Sequence, residues 1–566
     1  MSTDDRSLPW VRENGDGERL RGRLFAAACL GATMIGVLMV GVLLLYVFLD
    51  ATRVFEAEAA WFGVHGVTSA LVPLGVAALL ARRSRALFWS AMSTTALALF
   101  ATLLAGGAVI VFIHGISLLS WLALVLAVAT ATAVHLAHVR LRRPPATQRT
   151  LVAALAYWLA LVGVPGITVD RTLAVPGTDV AIPIQVSTPE LVPSLLEAIT
   201  MLPVVPTRLA TVLGAVTLPA AAVAWVVVAR RHADRRRATV AAALVGGAAL
   251  VGAGIAGAAG TDPWATAVVG TVVALLLVVH LDRVWAGGRL AALAFPLSLV
   301  AGIGAGVILV RTTGIRSPPT WLDWGYLTAA HSQVAADAGI YPALVGSVLM
   351  MIVVALVAFP LGVGAALYLE EYAPNSGLAG SVATFIEVNI GNLAGVPSVV
   401  YGLLGLAVFI RFVGMDTGIV VVGGLTLALL ILPIVIISAR EAIRSVPDSD
   451  RQASYGMGAT RWQTIRRVVL PQAFPGILTG SILAFGRAIG ETAPLLMIGA
   501  AATVFEAPDG LYDAFSAMPR QIYSWVSYPQ DAFQYGVMAA GVVTLLVVLL
   551  AMNATAIVIR NRYQKR

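Results

Sequence analysis

Between two long apolar segments near the C-terminal end lies the stretch Arg451–Pro471, RQASYGMGATRWQTIRRVVLP. It is polar and basic in a chain that is otherwise greasy. Pro447 followed by Asp448, Ser449 and Asp450 supplies acceptors and negative charge for a helix start. That helix is expected to run to about Met457, with Gly458 taking the left-handed backbone that ends it. Thr460-x-x-Gln463 is a capping box for a second helix, which presents Arg461, Arg466 and Arg467 until Leu470-Pro471 redirects the chain into the next apolar segment. Two short helices joined by a glycine make a rigid lever, suited to docking a soluble partner on the cytosolic face. The bland alternative is an ordinary basic loop obeying the positive-inside rule; the glycine spacing and the closing Leu-Pro argue against it.

The rest of the chain is membrane material. Of 566 residues, 59% are hydrophobic and 12% charged, and the mean hydropathy is +0.88. A soluble protein of this length could not bury so much apolar surface. The apolar runs are continuous for about 20 residues and do not alternate, which favours helices over a β-barrel. The single cysteine, Cys29, excludes an intramolecular disulfide and a cysteine-cluster metal site, and no metal site is expected. The net charge of +8 is dispersed between apolar segments, so it gives no footprint for nucleic acid. No small-residue cleavage site follows the first apolar run, and the reading is a protein retained in the cell membrane.

Fourteen apolar runs are candidate spans: 24–49, 64–81, 86–113, 116–136, 150–166, 209–229, 238–259, 265–281, 290–310, 341–369, 386–410, 419–438, 475–500 and 534–559. The run 150–166 is short and ends in Val164-Pro165-Gly166; the run 341–369 contains Pro360 and has room to kink. With the N-terminus inside, 29 Arg and Lys fall in cytosolic segments and 7 in external ones. Both termini are therefore expected in the cytosol. The external stretch 167–208, with Val180-Ala181-Ile182-Pro183-Ile184, is expected to form a small cap. In the external stretch 501–533 the aromatics Tyr512, Phe515, Tyr523, Trp525 and Tyr528 read first as interfacial anchors.

Two spans carry polar groups. Arg487 and Glu491 stand four residues apart, hence on one helix face, with Arg487 near mid-membrane if the span begins at 475. Charge at that depth is costly and usually faces a polar pathway or a partner. The functional reading gives the Arg487 guanidinium to a crossing anion, with Glu491 holding it and competing with the anion; the structural reading is an ion pair that only fixes packing. Gly486 and Gly490 suggest a close-packing face. Glu387, Asn389 and Asn392 lie towards the cytosolic end of the span 386–410, where capping or packing is the default, followed by a Gly395-Val396-Pro397-Ser398 break that could open the translocation path.

These segments together resemble the permeases of ABC importers, and within them the phosphate-specific Pst permeases of the PstA kind. The basic stretch resembles their EAA loop, with Gln452-Ala453-Ser454 in the place of Glu-Ala-Ala, Gly458 as hinge and Val468-x-Leu470-Pro471 closing the motif. Leu369-Glu-Glu-Tyr-Ala-Pro374, Glu387-Val-Asn-Ile-Gly-Asn392 and Gly486-Arg-Ala-Ile-Gly-Glu-Thr-Ala-Pro494 are also similar to that family. The resemblance implies an all-α polytopic membrane protein of about 14 transmembrane helices, whose last six form a type I ABC importer (MetI-like) permease domain at 289–566 with its EAA-like loop at 440–474. Residues 1–23 would be a charged cytosolic tail and 24–288 an additional membrane region of about eight helices. Two arrangements stay open for that region. It is an extension fused to a complete permease, or the segment Leu24 to Trp61 is the permease's original first span and the rest is inserted.

The resemblance further implies a PstC-like second permease, a PstB-like ATPase dimer and an external PstS-like phosphate-binding protein as partners, besides membrane lipid. The chain has no Gly-x-x-x-x-Gly-Lys-Ser/Thr loop and Lys565 is its only lysine, so it binds no ATP cofactor of its own and hydrolysis falls to a partner. The alternatives are an importer of sulfate or molybdate, a structural or sensory membrane protein, and an intramembrane hydrolase. The seven histidines are scattered, which speaks against the last.

Overall fold

The computed structural model describes residues 15–115, 118–142, 145–163, 168–174, 181–187, 193–200, 207–232, 234–258, 262–374 and 376–564. Part of the charged tail (1–14), the Val164-Pro165-Gly166 end of the fifth run and, within 167–208, residues 167, 175–180, 188–192 and 201–206 lie outside these. The main helices in chain order are α1 (Gly15–Thr52), α2 (Ala59–Arg83), α3 (Arg85–Gly115), α4 (Leu118–Arg142), α5 (Ala146–Leu161), α6 (Arg208–Arg231), α7 (Arg235–Ala258), α8 (Pro263–Ala286) and α9 (Leu290–Thr313). They continue with α10 (Tyr341–Tyr372), α11 (Gly377–Ala394), α12 (Ser398–Phe412), α13 (Val420–Arg444), α14 (Asp448–Gly456), α15 (Arg461–Ile489), α16 (Met518–Val526) and α17 (Ala532–Val558).

The fold is helical, with one correction: Thr168–Ala174 and Ala181–Ser187 pair as an antiparallel hairpin, Thr168 opposite Ser187. Among the described residues, twelve helices are long and apolar enough to cross a membrane, and thirteen spans result if α11 and α12 count as one bent pair. The expected fourteenth, at 150–166, is α5, whose 16 residues rise about 24 Å and fall short of a hydrocarbon core of about 30 Å. Within the expected charged tail, residues 15–23 are helical, since α1 begins at Gly15.

The tightest core lies among α10, α13, α15 and α17, where Leu349, Met350, Val354, Leu427, Ile431 and Val435 are buried. Small residues let these helices approach closely. On α15, Gly476 and Gly480 sit four apart against α13: a β-carbon at Gly476 would stand 2.8 Å from that of Ala442, and one at Gly480 would run into the Ser438 side chain. The pair expected to serve this purpose, Gly486 and Gly490, does not do so jointly. Gly486 faces Leu549 of α17, while Gly490 caps the end of α15.

The segment 498–531 is woven into this core. Phe515 donates its N–H to Gly418 O (3.1 Å), Val420 to Asp513 O (3.1 Å) and Val421 to Leu511 O (2.8 Å). Phe515 and Trp525 are completely buried, so these two aromatics are core residues and not interfacial anchors. Tyr512 and Tyr523 do point outward, 74% and 55% exposed.

Candidate coupling site and polar path

The loop after α13 folds as two arms. Pro447 precedes α14, Asp448 and Asp450 occupy its first turn, and Gly458 takes φ +82° just beyond it. Thr460 and Gln463 form the reciprocal capping box, Gln463 N–H donating to Thr460 Oγ1 (3.3 Å) and Thr460 N–H to Gln463 Oε1 (2.9 Å). The arms are locked by a buried hydrogen bond between the hydroxyls of Ser454 and Thr464 (2.8 Å). Gln452 and Ala453 are exposed, as are Met457 (83%) and Trp462 (54%), and Met457 lines an open depression of about 310 Å³ together with Gly458, Gln463, Arg467 and Val468. One expectation fails. Leu470-Pro471 does not redirect the chain, because α15 runs unbroken from Arg461 to Ile489. A π-turn over Ile465–Val469 widens the helix just before Pro471, and Pro475 follows inside the same helix.

A charge cluster ties this loop to the membrane helices. The Arg451 guanidinium donates to Glu371 at the end of α10 (Nη2 to Oε1, 3.2 Å), to the carbonyls of Ile443 (2.9 Å) and Val446 at the end of α13, and to Asp448 (3.1 Å). It thus joins three elements through one planar fork. The side chains of Arg451 and Glu371 are 15% and 6% exposed. Beside them Glu370 takes Arg444 (3.0 Å) and Arg440 (3.3 Å), and Arg440 reaches on to Glu387 of α11 (2.9 Å). Glu387 is therefore part of an ion-pair network. Asn389 donates back to Phe385 O (2.7 Å), and Asn392 is exposed.

The chain bends by 110° between α11 and α12. Pro397 has no N–H and biases Val396 away from helical backbone. The Tyr401 hydroxyl donates to Leu393 O (2.7 Å), which also accepts from Val396 N–H (3.0 Å), so α12 is tied back to the end of α11. Arg487 lies in the last turn of α15, since the helix stops at Ile489 and not at 500. Glu491 is past the helix end, yet Arg487 Nε reaches its Oε1 at 3.2 Å, with side-chain exposures of 45% and 16%. The pair forms at a helix break, not on a continuous helical face. The Arg487 guanidinium is half-open to its surroundings.

Residues 358–564 match the family model of the binding-protein-dependent transport system inner membrane component. The chain is 37% identical over 222 residues to the phosphate transport system permease protein PstA 1 of Mycobacterium tuberculosis, covering 39% of this chain and 70% of that protein. It is 39% identical over 217 residues to PstA of Mycobacterium leprae, covering 38% and 68%. This chain belongs to the ABC importer permease family. It is also 39% identical over 176 residues to the probable ABC transporter permease protein YqgI of Bacillus subtilis, covering 31% of this chain and 58% of that protein.

For a permease of this family, the residues missed by sequence reasoning are those of the Arg451 cluster. Glu370 and Glu371 were visible as adjacent acids at a span end, and Arg440, Arg444 and Arg451 as basic residues beyond another. What was lacking is the fold that brings residues 370–371 against 440–451, a long-range contact with no local signature.

Proposed function

We propose that this permease is the transmembrane subunit of an ATP-driven phosphate importer, forming half of the translocation pathway. The observation that carries the cargo is the 37–39% identity to two PstA phosphate permeases, which spans more than two thirds of each. On this reading the termini and the α14–α15 loop are cytosolic, where the basic loops concentrate. The exposed face around Met457 and Trp462 receives a PstB-like ATPase dimer, which hydrolyses the ATP. A PstC-like permease supplies the other half of the pathway, and a PstS-like binding protein delivers phosphate from outside. Gln452, Ala453, Ser454, Gly458, Leu470 and Pro471 carry the coupling, and Arg487 with Glu491 meets the anion. The guanidinium offers planar donors to phosphate oxygens, and Glu491 keeps the empty site neutral.

The test is uptake of radiolabelled phosphate by proteoliposomes that hold the assembled complex and internal or external ATP as orientation requires. The expected result is ATP-dependent uptake that a large excess of unlabelled phosphate suppresses and sulfate or molybdate does not. Suppression by sulfate or molybdate alone would make the protein an importer of those anions, and absence of ATP-dependent uptake of any oxyanion would overturn the reading.

A further inference from the structure

The end of α1 and the segment that leads into α10 are hydrogen-bonded to each other, although about 270 residues separate them in sequence. Ala51 O accepts from Trp321 N–H (2.9 Å) and from the Thr320 hydroxyl (3.2 Å), and Ala51 is completely buried in the same core as Tyr326 and Ile340. A few residues further out a second closure forms. Glu58 N–H donates to Arg316 O (3.3 Å), and Arg316 N–H donates to the Glu58 carboxylate (2.9 Å). Between these closures run α2 to α9, which meet the main core chiefly through the outer end of α3, where Ile110 is buried in it. The exit is marked by Arg53 at φ +47°, the one non-glycine residue with positive φ among the described residues.

The packing follows the same division. α1 lies along α17 and the turn that opens it, with Val47 against the main core. α9, by contrast, packs on α2 and α3. Its Gly302 and Gly306 are pressed against Thr68 and His65, where a β-carbon at Gly306 would come within 2.7 Å of the imidazole. A helix fitted that closely to α2 belongs with α2. Nearby chain ends and exposed linkers are also the conditions under which one domain tolerates insertion of another. Both linkers here are open: Phe55 is 77% exposed, and Gly314, Arg316 and Ser317 are exposed.

We propose that the permease of this chain is discontinuous: α1 is its first span, α10 to α17 supply the other five, and α2 to α9 form an eight-helix membrane module inserted between them. This replaces α9 by α1 as the first permease helix. It also requires the module to cross an even number of times, since it starts and ends on one side, so α5 must be one of its crossings although its helix is shorter than the others. The module is seated on the permease through the outer end of α3. There the buried His114 ring lies between Tyr341 Oη at the start of α10 (3.0 Å) and the Asp509 carboxylate (3.2 Å), and Gly115 faces Leu349. The inference rests on the permease reading of α10–α17 but not on its cargo.

The test uses the full-length chain in its assembled complex, with Cys29→Ala, Ala51→Cys and Thr320→Cys, and protease sites in the two exposed linkers at 54–57 and 314–317. After oxidation and both cuts, an unreduced gel should show the first fragment joined to the C-terminal one, with the module peptide migrating alone. Reduction should separate them. Should the buried cysteine pair prevent assembly, the exposed pair Glu58→Cys with Arg316→Cys is read with a single cut at 287–289, which the disulfide must bridge. Absence of the joined band in an assembled complex overturns the insertion. Neither readout measures transport, so its failure is distinct from failure of the phosphate assignment.

Discussion

Arg451 of the coupling loop is hydrogen-bonded to Glu371 at the end of α10, 3.2 Å from guanidinium to carboxylate, with both side chains largely shielded from solvent. The same guanidinium holds the carbonyls of Ile443, in the last turn of α13, and of Val446, just beyond it. The loop is therefore fastened to two membrane helices and cannot shift without moving them.

Removing one partner of such a pair strands the other. Arg451→Ala is expected to cost about 3–5 kcal/mol, because Glu371 is left buried with its charge uncompensated. Glu371→Gln, which keeps an acceptor and loses the charge, should cost less. Thermal unfolding of the purified complex checks the order, and equal midpoints for the two variants would refute the pairing energetics.

The glycine contact on α15 makes a second expectation. Gly480→Ala drives a β-carbon into Ser438 of α13 and should destabilise by roughly 1–3 kcal/mol through overpacking. Adding Ser438→Gly should recover most of that loss. A double variant as unstable as the single one would show that the two helices do not meet there.

His331 yields a pH dependence. It lies in the segment between α9 and α10, outside the membrane spans, where Trp525 Nε1–H donates to its Nδ1 (3.2 Å) and the Tyr528 hydroxyl meets its Nε2 (3.1 Å). Burial lowers its pKa below the ordinary histidine value. The folded state thus prefers the neutral ring, so this stabilisation is present above pH about 6.5 and is lost as pH falls through the depressed folded pKa. Melting of the wild type should drop between neutral pH and pH 5 by more than that of His331→Gln. Parallel pH curves would remove His331 as the cause.

Sidedness is checked by thiol labelling in a Cys29→Ala background. Asp337 and Met457 are both exposed, and Asp337→Cys should react with an impermeant reagent added outside while Met457→Cys should not. Reaction of both from one side contradicts the topology.

Much of this was legible in the chain, for identifiable reasons. The coupling loop is local physics: Pro447 and Asp448 start α14, Gly458 ends it, and Thr460 with Gln463 caps the next helix within four residues. Long apolar runs announced the spans for the same reason. What stayed hidden depends on contacts distant in sequence. Nothing near Phe515 or Trp525 distinguishes a core aromatic from an interfacial one until 498–531 folds onto Gly418 and Val421. The end of α15 at Ile489 was missed because the apolar residues after it continue the hydropathy, although the backbone breaks. Gly476 and Gly480 were passed over for Gly486 and Gly490, since only the neighbouring helix shows which small pair is used.

The claim that the path runs past Arg487 is tested most directly by phosphate uptake of the double variant Arg487→Met with Glu491→Met. Changing both residues avoids leaving Glu491 without the guanidinium that it holds at 3.2 Å. Reconstituted with its partner subunits, this variant should assemble and bind the ATPase, yet import no phosphate above the level of empty vesicles. Assembly accompanied by uptake at the wild-type rate would contradict the account, because the pair would then serve packing alone.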